Sequence, residues 1–85
     1  LTYLEKLEVL TLWSNNISDL SPLANLENLR DLDLGGNNIS DLSLLENLST
    51  LSVLLLDENY ISDDCEILSA QLPFTYIDCS NQYIE

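Results

Sequence analysis

The chain has no histidine, and only two basic residues, Lys6 and Arg30, stand against 15 acidic ones among its 85 residues. Without an imidazole, the side chain best suited to proton transfer near neutral pH is missing, and a catalytic carboxylate would need a sheltering pocket. Catalysis is therefore not expected. The formal net charge of −13 repels phosphate backbones and anionic lipid surfaces, so nucleic-acid binding is excluded as a main activity. A protein partner with a basic patch is the natural electrostatic complement, and a solvated acidic face with no partner accounts for the same charge. Cysteine is equally scarce. Cys65 and Cys79 fall at inward positions with no basic neighbour to lower a thiol pKa, so they read as core thiols rather than nucleophiles. A disulfide bracing the end of the chain is the alternative in an oxidising setting, because spacing alone does not fix geometry. Two sulfurs without histidine are too few for a zinc site, and no cofactor is called for. No run approaches the roughly 18 apolar residues of a membrane span, and LTYLEKLEVL at the start lacks a basic segment followed by an apolar one. Membrane insertion is not expected, and the compartment is left open.

What the chain has in excess is leucine at fixed intervals. LEVLTLWSNNISDLSPLANLEN at 7–28 returns as LRDLDLGGNNISDLSLLENLST at 29–50 and again as LSVLLLDENYISDDCEILSAQL, with Pro73 closing the stretch 51–73. Leu7, Leu29 and Leu51 fall in step, as do Leu10, Leu32 and Leu54, then Leu12, Leu34 and Leu56, and then Ile17, Ile39 and Ile61. A fixed period in the low twenties is that of a stacked solenoid, in which each copy buries its apolar edge against its neighbours. The whole of 1–85 is then one small domain: a partial repeat over 1–6, repeats over 7–28, 29–50 and 51–73, and a terminal repeat over 74–85. Leu1, Leu4 and Leu7 match Leu23, Leu26 and Leu29 one period later, so the chain begins in mid-repeat. It reads as a piece of a longer array whose open apolar end invites self-association.

Each position has a physical purpose. The Leu-x-Leu core is a short strand that points Leu10 and Leu12 inward and Val9, Thr11 and Trp13 outward. Asn15, Asn37 and Asn59 stand where the chain leaves the strand, and there an amide satisfies backbone groups buried in the turn. Ligand binding by these amides is the weaker reading, since buried polar groups are normally used up internally. After each Asn-x-Ile, Ser18-Asp19-Leu20 and Ser40-Asp41-Leu42 read as turn starts, with a short side-chain oxygen capping free donors and Pro22 placed early in a turn. Asp19, Asp41 and Asp63 form a row, but a calcium site needs six or more converging oxygens, so capping is preferred to metal binding. The last copy breaks step: Phe74, Ile77, Cys79, Gln82 and Ile84 keep the spacing one residue late, with Gln82 in the asparagine place. Acidic residues followed by Cys65, Leu68, Leu72 and a proline stop predict a short helix between Asp63 and Pro73. Tyr83 and Ile84 are placed to cover the exposed end.

The pattern LxxLxLxxNxI followed by SDLSPL resembles the 22-residue leucine-rich repeats of bacterial internalin-like proteins and of the eukaryotic phosphatase-regulating subunit. The resemblance implies an α/β solenoid with a short parallel sheet on its concave face and turns, or short 3-10 or α segments, on its convex face. It spans nearly the whole chain, but it speaks weakly for function because one repeat serves many unrelated partners. Outward strand residues in successive rows are Val9, Thr11 and Trp13; Asp31, Asp33 and Gly35; Val53, Leu55 and Asp57; and Tyr76, Asp78 and Ser80. With rows about 4.8 Å apart these form one patch, and an apolar cluster on a sheet face is more often an interaction site than an accident. Trp13 and Tyr76 belong to the residue types common at binding hot spots, while Asp33, Asp57 and Asp78 would select Lys or Arg. That Trp13 covers a strand edge or packs against a preceding repeat is the weaker reading. Gly35 and Gly36 leave a low place in the floor, for which easy backbone turning before Asn37 is the preferred account. Two functions follow. One is a non-catalytic protein-interaction module in a surface or secreted bacterial protein; the other is a structural or regulatory segment of a larger intracellular protein that positions an enzyme.

Overall fold

The computed structural model describes residues 6–62 and 64–84. Four three-residue strands, β1 (Val9–Thr11), β2 (Asp31–Asp33), β3 (Val53–Leu55) and β4 (Tyr76–Asp78), lie in chain order in one parallel sheet. Val9 pairs with Asp31 and Asp31 with Val53, a step of 22 residues each time; Val53 then pairs with Tyr76, one residue further on. The returning segments carry a 3-10 turn at Ser21–Leu23, another at Ser43–Asn47, and a helix, α1 (Asp64–Gln71). This is an α/β solenoid, with strands on one side and short helical pieces on the other. The molecule is thin, 16 Å in its smallest dimension.

Between the two layers runs a leucine core. Leu29, Leu34, Leu45, Leu54, Leu56 and Ile39 are wholly buried, and Leu32, Leu48 and Leu68 nearly so. Leu7, Leu10, Leu12 and Ile17 pack on this core while only half-buried. Pro22 opens the first 3-10 turn. The aspartate before each turn accepts a hydrogen bond from the amide two residues on, Asp19 from Ser21 N–H at 2.9 Å and Asp41 from Ser43 N–H at 3.0 Å. These are Asx turns, one residue before the N-cap positions Leu20 and Leu42, rather than caps on the turn itself. The same bonds hold the carboxyls of Asp19 and Asp41 below their ordinary range. Asp63, the third aspartate of that row, lies outside the described residues, as do Leu1 and Leu4.

Three expectations at the end of the chain are corrected. Cys65 and Cys79 are not free core thiols: they form a disulfide, Cα–Cα 6.5 Å, that ties α1 to the residue after β4. Phe74, which holds the first-leucine place of its repeat, is 96% exposed. Leu72 is buried, 4% exposed, and its carbonyl accepts the Thr75 amide as the Leu48 carbonyl accepts the Leu51 amide. Ile84 is 95% exposed and covers nothing, whereas the Tyr83 ring lies 5.4 Å from that of Tyr60.

At the strand exits, side-chain amides bridge successive repeats. Asn37 Oδ1 accepts from the amides of Asn15 and Ile17 in the preceding repeat, at 2.8 and 2.9 Å. Its Nδ2 donates to the carbonyls of Leu12, Leu34 and Gly35. Asn59 accepts from Ile39 N–H and donates to Leu34, Leu56 and Asp57. Gln82 does the same for Ile61 and Leu56. Asn15 differs: it is exposed, and its amide donates to Trp13 O. Replacing an amide that satisfies several buried groups leaves each of them unpaired. Asn37→Ala is thus expected to destabilise the fold by about 1–3 kcal/mol, and Asn15→Ala by clearly less. Urea denaturation of both variants checks this, and equal midpoints for the two would contradict it.

Candidate functional site: the sheet face

Strand alternation turns Leu10, Leu32, Leu54 and Ile77 into the core and presents their neighbours on the opposite face. The pairing sets these in rows: Val9, Asp31, Val53 and Tyr76, then Thr11, Asp33, Leu55 and Asp78. A further row, Trp13, Gly35, Asp57 and Ser80, is held past the strand ends by backbone bonds from Ser14 to Gly35, Gly36 to Asp57 and Glu58 to Ser80. All ten residues expected to form a binding surface, Val9, Thr11, Trp13, Asp31, Asp33, Val53, Leu55, Asp57, Tyr76 and Asp78, therefore share one face. Val9, Trp13 and Tyr76 are more than half exposed, and Val53 and Leu55 are half-buried between them. Val9, Thr11, Asp31, Asp33, Val53 and Leu55 line one shallow depression.

The acidic groups are held in fixed places. Asp33 Oδ1 accepts Gly35 N–H at 3.0 Å, and Asp78 Oδ1 accepts Ser80 N–H at 2.9 Å, which keeps the Asp78 carboxyl below its ordinary range. The Asp57 carboxyl is raised above its ordinary value instead. Burial is the main cause, partly offset by a bond with its own backbone, and the charges of Asp78, Asp33 and Glu58 add to the rise.

Gly35 leaves room for that carboxyl beside an indole. A Cβ there would lie 2.6 Å from Trp13 Cδ1 and 2.7 Å from both Trp13 Nε1 and Asp57 Oδ1. The indole and the carboxylate thus meet over a residue that has no side chain. The turning freedom expected of the glycine pair belongs to Gly36, whose φ is +68°, while Gly35 makes room. Trp13 accordingly leans along the face toward the next repeat rather than back toward a preceding one. Phe74 was missed as a surface residue because its spacing matches the first-leucine column; it stands two residues before Tyr76 on the way into β4. Among the described residues no group of three or more acidic or sulfur ligands is arranged to hold a metal ion. No described helix is long and apolar enough to cross a membrane.

A parallel solenoid with an amide ladder and an open, mixed apolar and acidic sheet face defines a stacked repeat protein. A family model for leucine-rich repeats, in two copies, matches residues 5–70, and the chain belongs to that family. Solved structures place it further. It is similar to internalin C2 of Listeria monocytogenes at 45% identity and TM-score 0.74, over 84% of this chain and 30% of that one. It is also similar to an internalin, InlF, of the same organism at 34% identity and TM-score 0.79, over 94% of this chain and 23% of that one. The chain spans less than a third of the length of these two proteins. None of the curated proteins matches it.

Two outcomes follow from the geometry. The side chains a Gly35 Cβ would strike are the movable ones of Trp13 and Asp57, so Gly35→Ala is expected to keep the fold while displacing the indole. Trp13 is the only tryptophan, so its emission should shift to longer wavelength, and an unchanged spectrum would mean that the ring does not rest there. The second concerns pH. A carboxyl raised in the fold is costlier to ionise there than in the unfolded chain, so charged Asp57 lowers stability above its folded pKa. That cost disappears as pH falls through the folded value toward the ordinary 3.8. Asp57→Asn should raise the urea midpoint near neutral pH, with the gain vanishing in acid. A gain that persists unchanged in acid would contradict it.

Proposed function

We propose that the chain is a non-catalytic protein-interaction module that binds a protein partner through its concave sheet face, as part of an internalin-like surface or secreted protein. The observation that carries this reading is the composition of that face. Val9, Trp13 and Tyr76 are exposed large apolar groups on one sheet surface, continuous with Val53 and Leu55. Exposing such a cluster is unfavourable by about 25 cal/mol per Å² unless something covers it. The aspartates between these groups favour a partner with a basic patch, both in steering its approach and in fixing its register.

The disulfide supports a choice of setting. A bond between Cys65 and Cys79 persists outside the reducing cytosol, which supports a surface or secreted location over the intracellular regulatory alternative. Likeness to internalins supports the same choice. Against catalysis stands the face itself, shallow and without histidine.

The test is capture of partners from extracellular protein mixtures by the immobilised chain, repeated with Trp13→Ala and Leu55→Ala. Each substitution should weaken a true partner by about 1–3 kcal/mol while the circular dichroism of the chain is unchanged. Partners held at full strength by the variant carrying both would place the binding surface elsewhere.

A further inference from the structure

Resting on the sheet-face reading, we infer that the Trp13–Gly35–Asp57 corner is an arginine-selective subsite, which seats a guanidinium of the partner on the indole and against the Asp57 carboxylate.

Four observations converge. The indole and the carboxylate both come within 2.7 Å of the one point above Gly35 where any other residue would place a Cβ, so the aromatic edge and the anion are held side by side. Trp13 is 51% exposed, which leaves ring surface open to solvent although the ring rests on Gly35. Cations favour the face of tryptophan over that of any other aromatic ring, and a planar guanidinium can stack there while its N–H groups reach a carboxylate. A compact ammonium is more strongly hydrated and cannot do both as well. Second, the anion is reinforced: Asp33 lies one strand from Trp13 in the row below, and Asp78 adjoins Asp57 from β4. Third, backbone bonds to Gly35 and Ser80 fix Asp33 and Asp78 before any partner arrives, so little ordering cost remains. Fourth, charge is segregated. Lys6 and Arg30, the only cations of the chain, stand with Glu8, Asn28 and Thr50 around a hollow at the start of the strands, away from the corner at their ends. A cationic side chain is thus directed to one end of the face.

The remainder of the face determines what accompanies it. Leu55 and Val53 lie on β3 below Asp57, with Tyr76 beside Val53, so the matching segment alternates arginine with apolar residues and runs along β3. An incoming guanidinium would also relieve the mutual repulsion of the carboxylates around Asp57.

The probe is acetyl-Arg-Ile-Arg-Ile-amide, with its lysine and citrulline counterparts; citrulline keeps the shape of arginine without its charge. The readout is the indole N–H resonance of the single tryptophan in a proton–nitrogen correlation spectrum, which also reports whether each variant is folded. The arginine peptide should shift this resonance saturably, with an affinity at least several-fold above the lysine peptide and with no saturation by the citrulline one. Asp57→Asn should lower the arginine affinity about tenfold, and Gly35→Ala, which displaces the indole, should lower it as well. Equal affinity for the arginine and lysine peptides, no saturable shift, or a response untouched by both substitutions would overturn the subsite. Captured partners that depend on Leu55 but not on Asp57 would overturn it too, and would leave binding by the sheet face intact.

Discussion

Strands of three residues cannot stack unless the chain can leave each of them without stranding backbone groups in the interior, and in this molecule a side-chain amide makes that exit possible. An amide offers both an acceptor and two donors on one planar group, so Asn37 serves two N–H groups of the preceding repeat and three carbonyls at once. Neither a carboxylate nor a hydroxyl has that combination. Gln82 performs the same task from a longer arm, and its Nε2 reaches Leu56 O at 2.7 Å. Because Asn37, Asn59 and Gln82 each bridge two repeats, they also lock the register. Register in turn decides which residues stand in a row, and so the meeting of Trp13 and Asp57 over Gly35 is a consequence of the ladder. The exits carry a cost, since Ser14, Glu58 and Asn81 adopt left-handed backbone where the matching residue of the second repeat is Gly36.

Leucine spacing made most of this legible. Leu32, Leu54, Leu34 and Leu56 declared the inward positions by periodicity, and the outward rows followed from alternation alone. What the spacing could not carry was contact at a distance. Cys65 and Cys79 occupied apolar positions of the pattern and were indistinguishable from leucine until helix and strand were set side by side. Phe74 shared a column with buried leucines, yet it is exposed while Leu72, two residues earlier, is buried. Gly35 looked like half of a flexible pair, and its purpose is visible only from the side chains of the repeats on either side of it. Thr50 was silent in the sequence, although its hydroxyl donates to Leu29 O and Glu27 O and Thr75 repeats the device on Leu51 O. At the opposite end of the strands from the amides, these hydroxyls provide a second set of bridges between repeats.

Charge and packing divide the labour in this fold. Core leucines supply cohesion and tolerate no polar group without a partner: no buried side-chain polar atom lacks one among the described residues. The acidic excess is kept on the surface, where it favours solubility over self-association. On the sheet face the two meet, with apolar groups that want covering set among carboxylates that choose by what. Such a face gains selectivity from charge and affinity from the few large groups, chiefly Trp13 and Tyr76. The disulfide adds mechanical support where the repeat pattern changes, fastening α1 to the end of β4 so that Tyr76 and Asp78 stay aligned with the strands before them.

Hydroxyl-radical footprinting of the chain, alone and with a captured partner, tests the central claim most directly, because it reads side-chain exposure on every face at once. Trp13, Tyr76 and Val9 on the sheet face are exposed, and so are Ile67 on α1 and Ile84 beyond the last strand. The account predicts that a partner protects Trp13, Tyr76 and Val9 from oxidation and leaves Ile67 and Ile84 as reactive as before. Protection of Ile67 with Trp13 and Tyr76 unchanged would contradict it and move the binding surface to the helical side.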